Sequence, residues 1–271
     1  MNLLRPTTLL LFVVTLAACS GQLKSTTSSN NSPRLIRVMA YNIHHANPPS
    51  KPGLIDIDAI AKAIKDQDPD LVALQEVDVN TVRSGKFNQA EEIAKRLGMS
   101  FFFAKAIDHE GGDYGVAILS KFPMSETRIN RLPTEASTKG EPRVLATAKI
   151  TLPNGKFIRF GSTHMDAQKA DTNRELQIKE INRIAAGEKL PFIIAGDFNA
   201  RPGSTVIDLL DQGFTRSCQQ CEFTIPVLKP NKTIDFIAFT PKAKFIAQST
   251  TVIPERYASD HLPVVAVLQV Q

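Results

Sequence analysis

Acidic and amide side chains stand directly after short apolar segments at several places in this sequence. Asn42 follows the segment 35–41, Glu76 comes two residues after the segment 71–74, and Asp197 closes a third such segment. A charged side chain is unfavourable inside an apolar core, so these positions mark where the chain leaves the core. Oxygen atoms collected from several such places are the ligands that hard divalent cations, Mg²⁺ or Mn²⁺, prefer. The pattern therefore predicts a divalent-metal site.

Histidine and further acidic or amide residues occupy the same kind of position. His164 ends one strand-like segment, Asn199 lies two residues after Asp197, and Asp260 with His261 precedes the last apolar segment. Imidazole groups can transfer protons near neutral pH. With a cation and carboxylates they suit the transfer of a phosphoryl group to water, where positioning and charge neutralisation carry most of the catalysis. Each residue alone has an ordinary explanation as a turn or surface residue, so the prediction of a phosphoester hydrolase depends on their conjunction.

Predicted strands and helices must bring these residues together. Alternating or continuous apolar patterns predict strands at residues 35–41, 71–74, 101–103, 115–119, 144–150, 157–163, 192–195, 234–239 and 264–270. Apolar residues at helical spacing predict helices at residues 57–65, 89–97, 173–186 and 205–210. Asn154-Gly155 is a strong hairpin signal. Because strands outnumber helices and do not strictly alternate with them, the α/β pattern favours two sheets packed face to face with helices outside.

Seven blocks of the sequence resemble those of the endonuclease/exonuclease/phosphatase superfamily, in that family's order. They are MAYNI from residue 39, LQEV from 74, GVAILS from 115, STH from 162, GDFN from 196, IDFI from 234 and SDHLPV from 259. The resemblance spans residues 34–271. It implies the DNase I-like fold, a four-layer α/β sandwich with two mainly antiparallel sheets and the helices outside.

The same resemblance implies a role for each matched polar residue. Glu76 is expected to be the principal ligand of Mg²⁺ or Mn²⁺, with Asn42 beside it and Asp260 contributing directly or through water. Asp197 and Asn199 are expected to hold and activate the attacking water and to orient the phosphate.

The histidines are expected to contact the phosphate. The resemblance implies that His261 donates to the scissile phosphate, that Asp235 orients His261, and that His164 is a second phosphate contact. A carboxylate beside an imidazole fixes its orientation and favours the charged form, which stabilises negative charge on the phosphate.

Three further residues are candidates for substrate binding. Tyr114 lies where the family often has a polar or aromatic residue near the site, and simple packing is the alternative. Arg83 and Arg143 lie where similar small secreted members carry arginine, which suggests contact with an anionic substrate group. Surface ion pairs are the alternative for both arginines.

The first residues have the pattern of an export signal. Residues 1–18 combine Arg5 with a short apolar run, and residues 16–19 (LAAC) resemble the lipobox of bacterial lipoproteins. This predicts cleavage before Cys19 and lipid attachment there; an ordinary signal peptide with an incidental cysteine is the alternative. Residues 19–33 are predicted to be a flexible tether and residues 34–271 the catalytic domain. The expected location is the bacterial periplasm or cell envelope, and Ser20 weakly favours the outer membrane.

The other two cysteines and the charge bear on redox chemistry and partners. Cys218 and Cys221 form a C-x-x-C pair that can close a small disulfide in an oxidising compartment, and the default interpretation is a structural or incidental pair in a loop. The net charge of +5 permits phosphates, nucleic acid or lipid headgroups as partners. Trp is absent, Tyr numbers 3, and no run of Lys and Arg stands out.

These features favour small or lipid-linked phosphate esters over nucleic acid as the substrate of a monomeric enzyme. A metal-dependent nuclease is the first alternative. A binding lipoprotein that has the fold without the chemistry is the second.

Overall fold

The computed structural model describes residues 34–270, together with Met1 and Leu3. Every element below belongs to one compact unit, which begins at residue 33. The predicted signal peptide (apart from Met1 and Leu3), the tether at residues 19–33 and the lipidation site Cys19 lie outside the described residues. Over the described part of the chain, no helix has the length and apolar character needed to cross a membrane.

Twelve strands, four α-helices and three short 3-10 helices (His44–Ala46, Ala136–Thr138 and Pro241–Ala243) account for the regular structure of residues 34–270. The strands are β1 Arg34–Asn42, β2 Leu71–Val79, β3 Ser100–His109, β4 Gly112–Ser120, β5 Met124–Arg131, β6 Val144–Thr151, β7 Phe157–His164, β8 Phe192–Asp197, β9 Thr215–Arg216, β10 Asp235–Phe239, β11 Ile246–Val252 and β12 Val264–Val270. The helices are α1 Ile57–Lys65, α2 Gln89–Leu97, α3 Thr172–Gly187 and α4 Thr205–Gly213.

Within residues 34–270 the strands form two six-stranded sheets. The first sheet has the order β11-β12-β1-β2-β4-β3 and the second the order β5-β6-β7-β8-β10-β9. Each sheet contains one parallel pair near its centre, β1 with β2 and β7 with β8, and its other pairs are antiparallel. The prediction of two mainly antiparallel sheets is therefore confirmed.

Side-chain alternation along each strand separates three apolar layers. On β1, Val38 and Ala40 face the other sheet, whereas Met39 and Tyr41 face α1 and α2. The second sheet is arranged in the same way, because its outer face packs against α3 and α4. This confirms the four-layer α/β sandwich with helices outside.

The ends of the helices follow from their capping residues. The side chain of Asp56 accepts from the Ala59 amide at the start of α1, and that of Asn88 accepts from the Glu91 amide at the start of α2. Gly98 ends α2 in the left-handed conformation. Both helices have the predicted bounds.

Three strands have no counterpart in the predicted set. They are β5 and β11 at sheet edges, and the two-residue β9 at the edge beside β10. Both β5 and β11 are largely exposed. A strand with few buried side chains lacks the apolar alternation on which the sequence prediction depends.

Candidate active site

The central parallel pairs place the predicted polar residues at one edge of the sandwich. In the first sheet Asn42, at the end of β1, lies opposite Gln75 of β2. In the second sheet His164, at the end of β7, lies opposite Asp197, at the end of β8. Since β10 is antiparallel to β8, Asp235 at its start is opposite Asp197. Strand direction therefore brings together residues that are far apart in sequence.

A bulge in β2 turns Glu76 toward this edge. The register between β2 and β4 shifts between Leu74 and Val77, and Glu76 has a φ of 56° in the left-handed region. Such a backbone is unfavourable for a residue with a side chain and is often found at functional sites. The carboxylate lies beside Asn42, whose Nδ2 donates to Glu76 Oε1 and to Asp197 Oδ2, both at 3.1 Å.

The surroundings of Glu76 suit a divalent cation. Burial acts to raise the pKa of Glu76, but the adjacent imidazoles and the Asn42 amide lower it well below its ordinary range. The carboxylate is therefore ionised, and 22% of the side chain is exposed. The Ser259 hydroxyl donates to the Asn42 carbonyl at 2.7 Å, so the chain just before Asp260 is held at the end of β1. Carboxylate and amide oxygens are the donors that Mg²⁺ and Mn²⁺ take.

A second group of ionisable atoms lies deeper. Asp197, Asp235 and His261 each offer one ligand atom, and these atoms lie within 4.8 Å of one another. Asp235 and His261 are already hydrogen-bonded to each other, whereas the carboxylate of Glu76 is partly open to solvent. The residues of the Glu76 group are therefore the better cation ligands, and those of the deeper group fit proton and phosphate chemistry better.

His261 is held as a cation by Asp235. Its Nδ1 lies 3.0 Å from Asp235 Oδ2 and 3.2 Å from Oδ1. Burial acts to lower the pKa of His261, but Asp235 more than offsets this and raises it to about 10. The Thr224 hydroxyl donates to Asp235 Oδ2 at 2.5 Å. At neutral pH the imidazolium can donate from Nε2, which lies 3.7 Å from Asp197 Oδ2.

Asp197 is buried among these groups. Burial, together with the nearby Asp235 carboxylate, raises the pKa of Asp197 to about 7. The Asn199 amide donates to Asp197 Oδ1 at 2.8 Å, and the Asn199 side chain donates to the Met165 carbonyl at 3.0 Å. A fixed carboxylate that exchanges its proton near neutral pH suits general-base catalysis.

His164 is buried and uncharged. Burial, with the nearby Arg143 guanidinium, holds the pKa of His164 well below its ordinary value. Its Nε2 lies 3.5 Å from Asp197 Oδ2, and within the described residues its Nδ1 has no hydrogen-bond partner. A neutral imidazole can still donate one hydrogen bond to a phosphate oxygen.

The three residues predicted to bind substrate have different surroundings. Arg83 forms two hydrogen bonds to Asp78, at 2.7 and 2.9 Å, and its guanidinium lies 5.6 Å from the centre of the Tyr114 ring. Arg143 is buried, its Nη2 lies 3.4 Å from Glu141, and its Nε has no partner within the described residues. The Tyr114 hydroxyl also interacts with Arg143, so the unpartnered Nε is the part of the guanidinium that is available to an anion. Contact of Tyr114, Arg83 and Arg143 with substrate stays a prediction.

Several polar residues of the site were missed by the sequence reasoning. They include His45, whose Nδ1 lies 3.8 Å from Glu76 Oε2, and Thr224 beside Asp235. The consecutive histidines directly after the Asn42 block were a usable signal for His45. No sequence signal marks Thr224, because it reaches Asp235 only through the folding of the loop between β9 and β10. In that loop Cys218 and Cys221 form a disulfide.

Comparison with known proteins finds one family and a common fold. A sequence model of the Endonuclease/Exonuclease/phosphatase family matches residues 39–261. The chain is 27% identical over 191 residues to the inositol phosphosphingolipids phospholipase C of Schizosaccharomyces pombe. This alignment covers 65% of this chain and only 43% of that protein. An endonuclease/exonuclease/phosphatase from Beutenbergia cavernae superposes with a TM-score of 0.74 at 24% identity, over 88% of this chain and 72% of that one. The mannosyl-6-phosphatase of Bacteroides thetaiotaomicron superposes with a TM-score of 0.69 at 20% identity, over 86% of this chain and 99% of that one.

Proposed function

The chain belongs to the endonuclease/exonuclease/phosphatase family, and from this membership we propose that it is a divalent-metal-dependent phosphoester hydrolase. The observation that carries the proposal is the meeting of two kinds of group at one edge of the sandwich. Glu76, held by Asn42, offers a carboxylate that is partly open to solvent, and the pair of His261 and Asp235 with Asp197 offers a cationic donor beside a proton acceptor.

Each residue of the site has a role in the proposed reaction. Asp197 accepts the proton of the attacking water, because its pKa of about 7 suits exchange near neutral pH. The positive charge on His261 stabilises charge that builds on the phosphate, and Asp235 holds the imidazolium in place. His164 donates a further hydrogen bond as a neutral imidazole, and Asn199 fixes the position of Asp197 through its backbone amide.

A divalent cation would be held by Glu76, Asn42 and Asp260, and it would neutralise charge on the phosphate oxygens. Asn42 donates to two carboxylates through its amide nitrogen. The oxygen of the same amide accepts from the His44 amide at 3.1 Å, and it is the atom through which Asn42 would coordinate a cation. We propose Mg²⁺ or Mn²⁺ on the basis of the oxygen-rich ligands.

We propose a small or lipid-linked phosphate ester as the substrate. Several surface arginines are already paired with acidic residues, as Arg96 is with Asp58 and Arg183 with Glu180, and this argues against a continuous basic stripe for DNA. The buried Arg143 is suited to an anionic group of the substrate. Similarity to a protein named as a phospholipase C also supports a lipid-linked ester.

A screen of purified protein lacking residues 1–19 tests this proposal. The substrates are phosphoinositides, sphingomyelin, sugar phosphates, plasmid DNA and RNA, each with Mg²⁺, Mn²⁺ or Ca²⁺. We expect hydrolysis of a small or lipid-linked ester that is lost in Asp197→Asn. Asp208→Asn, at an exposed carboxylate of α4, removes the same charge away from the site and should retain activity.

The alternatives predict different results in the same screen. Rapid cleavage of duplex DNA, with a rate that falls steeply as salt is added, would favour a nuclease. No hydrolysis with any of the three cations would favour a binding protein of the same fold.

We further propose that the protein is an exported, monomeric lipoprotein anchored to a bacterial membrane through Cys19. The support is the sequence pattern of residues 1–18 together with the polar composition of residues 19–33.

A further inference from the structure

His45 lies in a turn with an unusual backbone. His44, His45 and Ala46 have φ values of 46°, 42° and 58°, so three successive residues with side chains are left-handed. This region is unfavourable for L-residues and persists only where the surroundings hold it. Gln89 Nε2 donates to the His45 carbonyl at 2.7 Å, and the Asn42 side chain accepts from the His44 amide at 3.1 Å. The turn is therefore held by Gln89 at the start of α2 and by Asn42 at the end of β1.

The imidazole of His45 has a ring nitrogen without a hydrogen-bond partner beside Glu76. Its Nδ1 is shielded from solvent and has no hydrogen-bond partner within the described residues. The nearest carboxylate oxygen, Glu76 Oε2, is 3.8 Å away, which is too far for a hydrogen bond. That separation is shorter than the sum of two metal–ligand bonds, about 4.2 Å. One cation can therefore contact both atoms.

The other oxygen of Glu76 is turned toward Asn42. Asn42 Nδ2 lies 3.1 Å from Glu76 Oε1, so the carboxylate is flanked by an amide on one side and an imidazole on the other. The imidazole and the remaining carboxylate oxygen together make a mixed nitrogen and oxygen ligand set.

We propose that His45 Nδ1 is a nitrogen ligand of the cation held by Glu76, and that it makes the site prefer Mn²⁺ to Mg²⁺. The inference rests on the proposed function, because it concerns the same cation. Mg²⁺ takes oxygen ligands almost exclusively in proteins, whereas imidazole binds the first-row transition cations well. One nitrogen in an oxygen-rich site therefore raises the affinity for Mn²⁺ more than the affinity for Mg²⁺.

Variants of the two neighbouring histidines isolate the nitrogen ligand. His45→Asn retains a residue that tolerates the left-handed backbone and replaces the nitrogen by an amide. His44→Asn is the matched control in the same turn, because His44 Nδ1 is already bonded to the Asn47 carbonyl at 2.8 Å. Thermal unfolding without metal compares the folding of both variants with that of the parent protein.

Calorimetric titration of the purified full-length proteins with Mn²⁺ and with Mg²⁺ measures the preference. We expect His45→Asn to weaken Mn²⁺ binding by about 10-fold or more and Mg²⁺ binding by less than about 3-fold. His44→Asn should leave the ratio of the two affinities unchanged. An unchanged ratio in a folded His45→Asn protein would overturn the proposal.

Pulsed electron paramagnetic resonance gives a direct readout that does not depend on activity. Bound Mn²⁺ should show the coupling of a coordinated ¹⁴N nucleus in the parent protein and in His44→Asn, and should lose it in His45→Asn. A coupling that persists in His45→Asn would assign the nitrogen to another histidine and exclude His45. Absence of Mn²⁺ binding in the parent protein would overturn both this inference and the metal-dependent function, whereas Mn²⁺-supported hydrolysis without the nitrogen coupling would overturn this inference alone.

Discussion

Opposite effects of burial and charge set the protonation of the site residues. Asp197 and His261 are both buried, yet burial raises the pKa of Asp197 to about 7, whereas Asp235 raises that of His261 to about 10. A carboxylate loses its charge when water is removed, but an imidazole keeps its charge if a carboxylate is bonded to it. The site therefore has a proton acceptor and a cationic donor side by side at neutral pH. The Asp235 carboxylate is the group on which this arrangement depends.

Thr224 is expected to act by positioning Asp235. Its hydroxyl donates to Asp235 Oδ2 at 2.5 Å, and its carbonyl accepts from the Leu262 amide at 2.8 Å. Thr224→Val removes the hydroxyl at nearly constant volume, so Asp235 Oδ2 retains only the bond to His261 and the Ile234 amide loses its acceptor. We expect kcat to fall by about 10- to 100-fold with little change in KM. Thr224→Ser should recover most of the rate, and equal rates for the parent protein and Thr224→Val would contradict this role.

Among the secondary-structure elements, the close pairing of β7 with β8 positions two of the site residues. The parallel pair β7 and β8 aligns His164 with Asp197, and no side chain separates the two backbones there because residue 196 is glycine. A Cβ at Gly196 would come within 2.0 Å of the Thr163 carbonyl oxygen, well inside ordinary contact. The spacing of the two strands therefore depends on this glycine.

Replacing Gly196 should damage both stability and activity. Gly196→Ala must push β8 away from β7, and we expect the free energy of unfolding to fall by at least about 2 kcal/mol. The measurement is urea unfolding followed by circular dichroism, together with the hydrolysis rate. Gly187→Ala is the control, because a Cβ there meets nothing within 4 Å. A Gly196→Ala protein as stable as Gly187→Ala would show that the strands can separate freely.

A buried arginine on β7 should make stability depend on acid pH. Arg159 donates to Glu188 at 2.8 Å and to Glu126 at 3.0 Å, and it is buried. Burial acts to raise the pKa of Glu188, but the Leu190 amide and Arg159 lower it below the ordinary value of 4.5. A lowered pKa in the folded state adds stability that is present above pH 4.5 and is lost as the pH falls through the folded pKa.

Glu188→Gln tests the acid dependence. We expect this variant to be less stable than the parent protein by about 1 kcal/mol at pH 7. The difference should shrink below about pH 4.5, because the parent carboxyl then becomes neutral as well. The midpoints of urea unfolding of both proteins between pH 3 and 7 measure this difference in stability. Glu91→Gln, at an exposed residue of α2, should show no such trend, and a constant difference for Glu188→Gln across this range would refute the prediction.

At the scale of the whole molecule, the site lies where the two sheets meet. Asn42 and Glu76 come from the first sheet and His164 and Asp197 from the second, so neither sheet holds the site alone. The apolar layer between the sheets, which includes Val38 and Ile193, sets the distance between the two halves. Loss of packing in that layer is therefore expected to lower activity along with stability.

The proposed membrane anchor is a separate property of the chain. Cys19→Ser should move the protein from the membrane fraction to the soluble fraction of a bacterial host, and should abolish incorporation of a labelled fatty acid. Hydrolysis by the released protein should persist, since the site residues all lie between residues 42 and 261. Ser20→Ala retains the cysteine and should stay with the membrane. A Cys19→Ser protein that still carries lipid would exclude this anchor.

Much of the fold could be predicted because apolar periodicity marks buried elements. The helices Ile57–Lys65 and Gln89–Leu97 were predicted with their observed bounds, since each combines a capping residue with an apolar stripe. The edge strands Met124–Arg131 and Ile246–Val252 were missed, because their side chains are mostly exposed and leave no apolar alternation. The polar residues at strand ends could be selected as candidates, because a charged or amide side chain directly after an apolar strand marks where the chain leaves the core.

The family, the four-layer fold and the candidate polar residues could be inferred from the sequence, because they depend on periodicity and on ordered motifs along the chain. Which of these polar residues meet is visible only in the folded protein. Glu76 reaches Asn42 through a bulge, and Thr224 reaches Asp235 through a loop. The left-handed turn that places His45 beside Glu76 is likewise seen only in the folded chain. Such contacts depend on strand register and on long-range packing, and local sequence patterns contain no information about either.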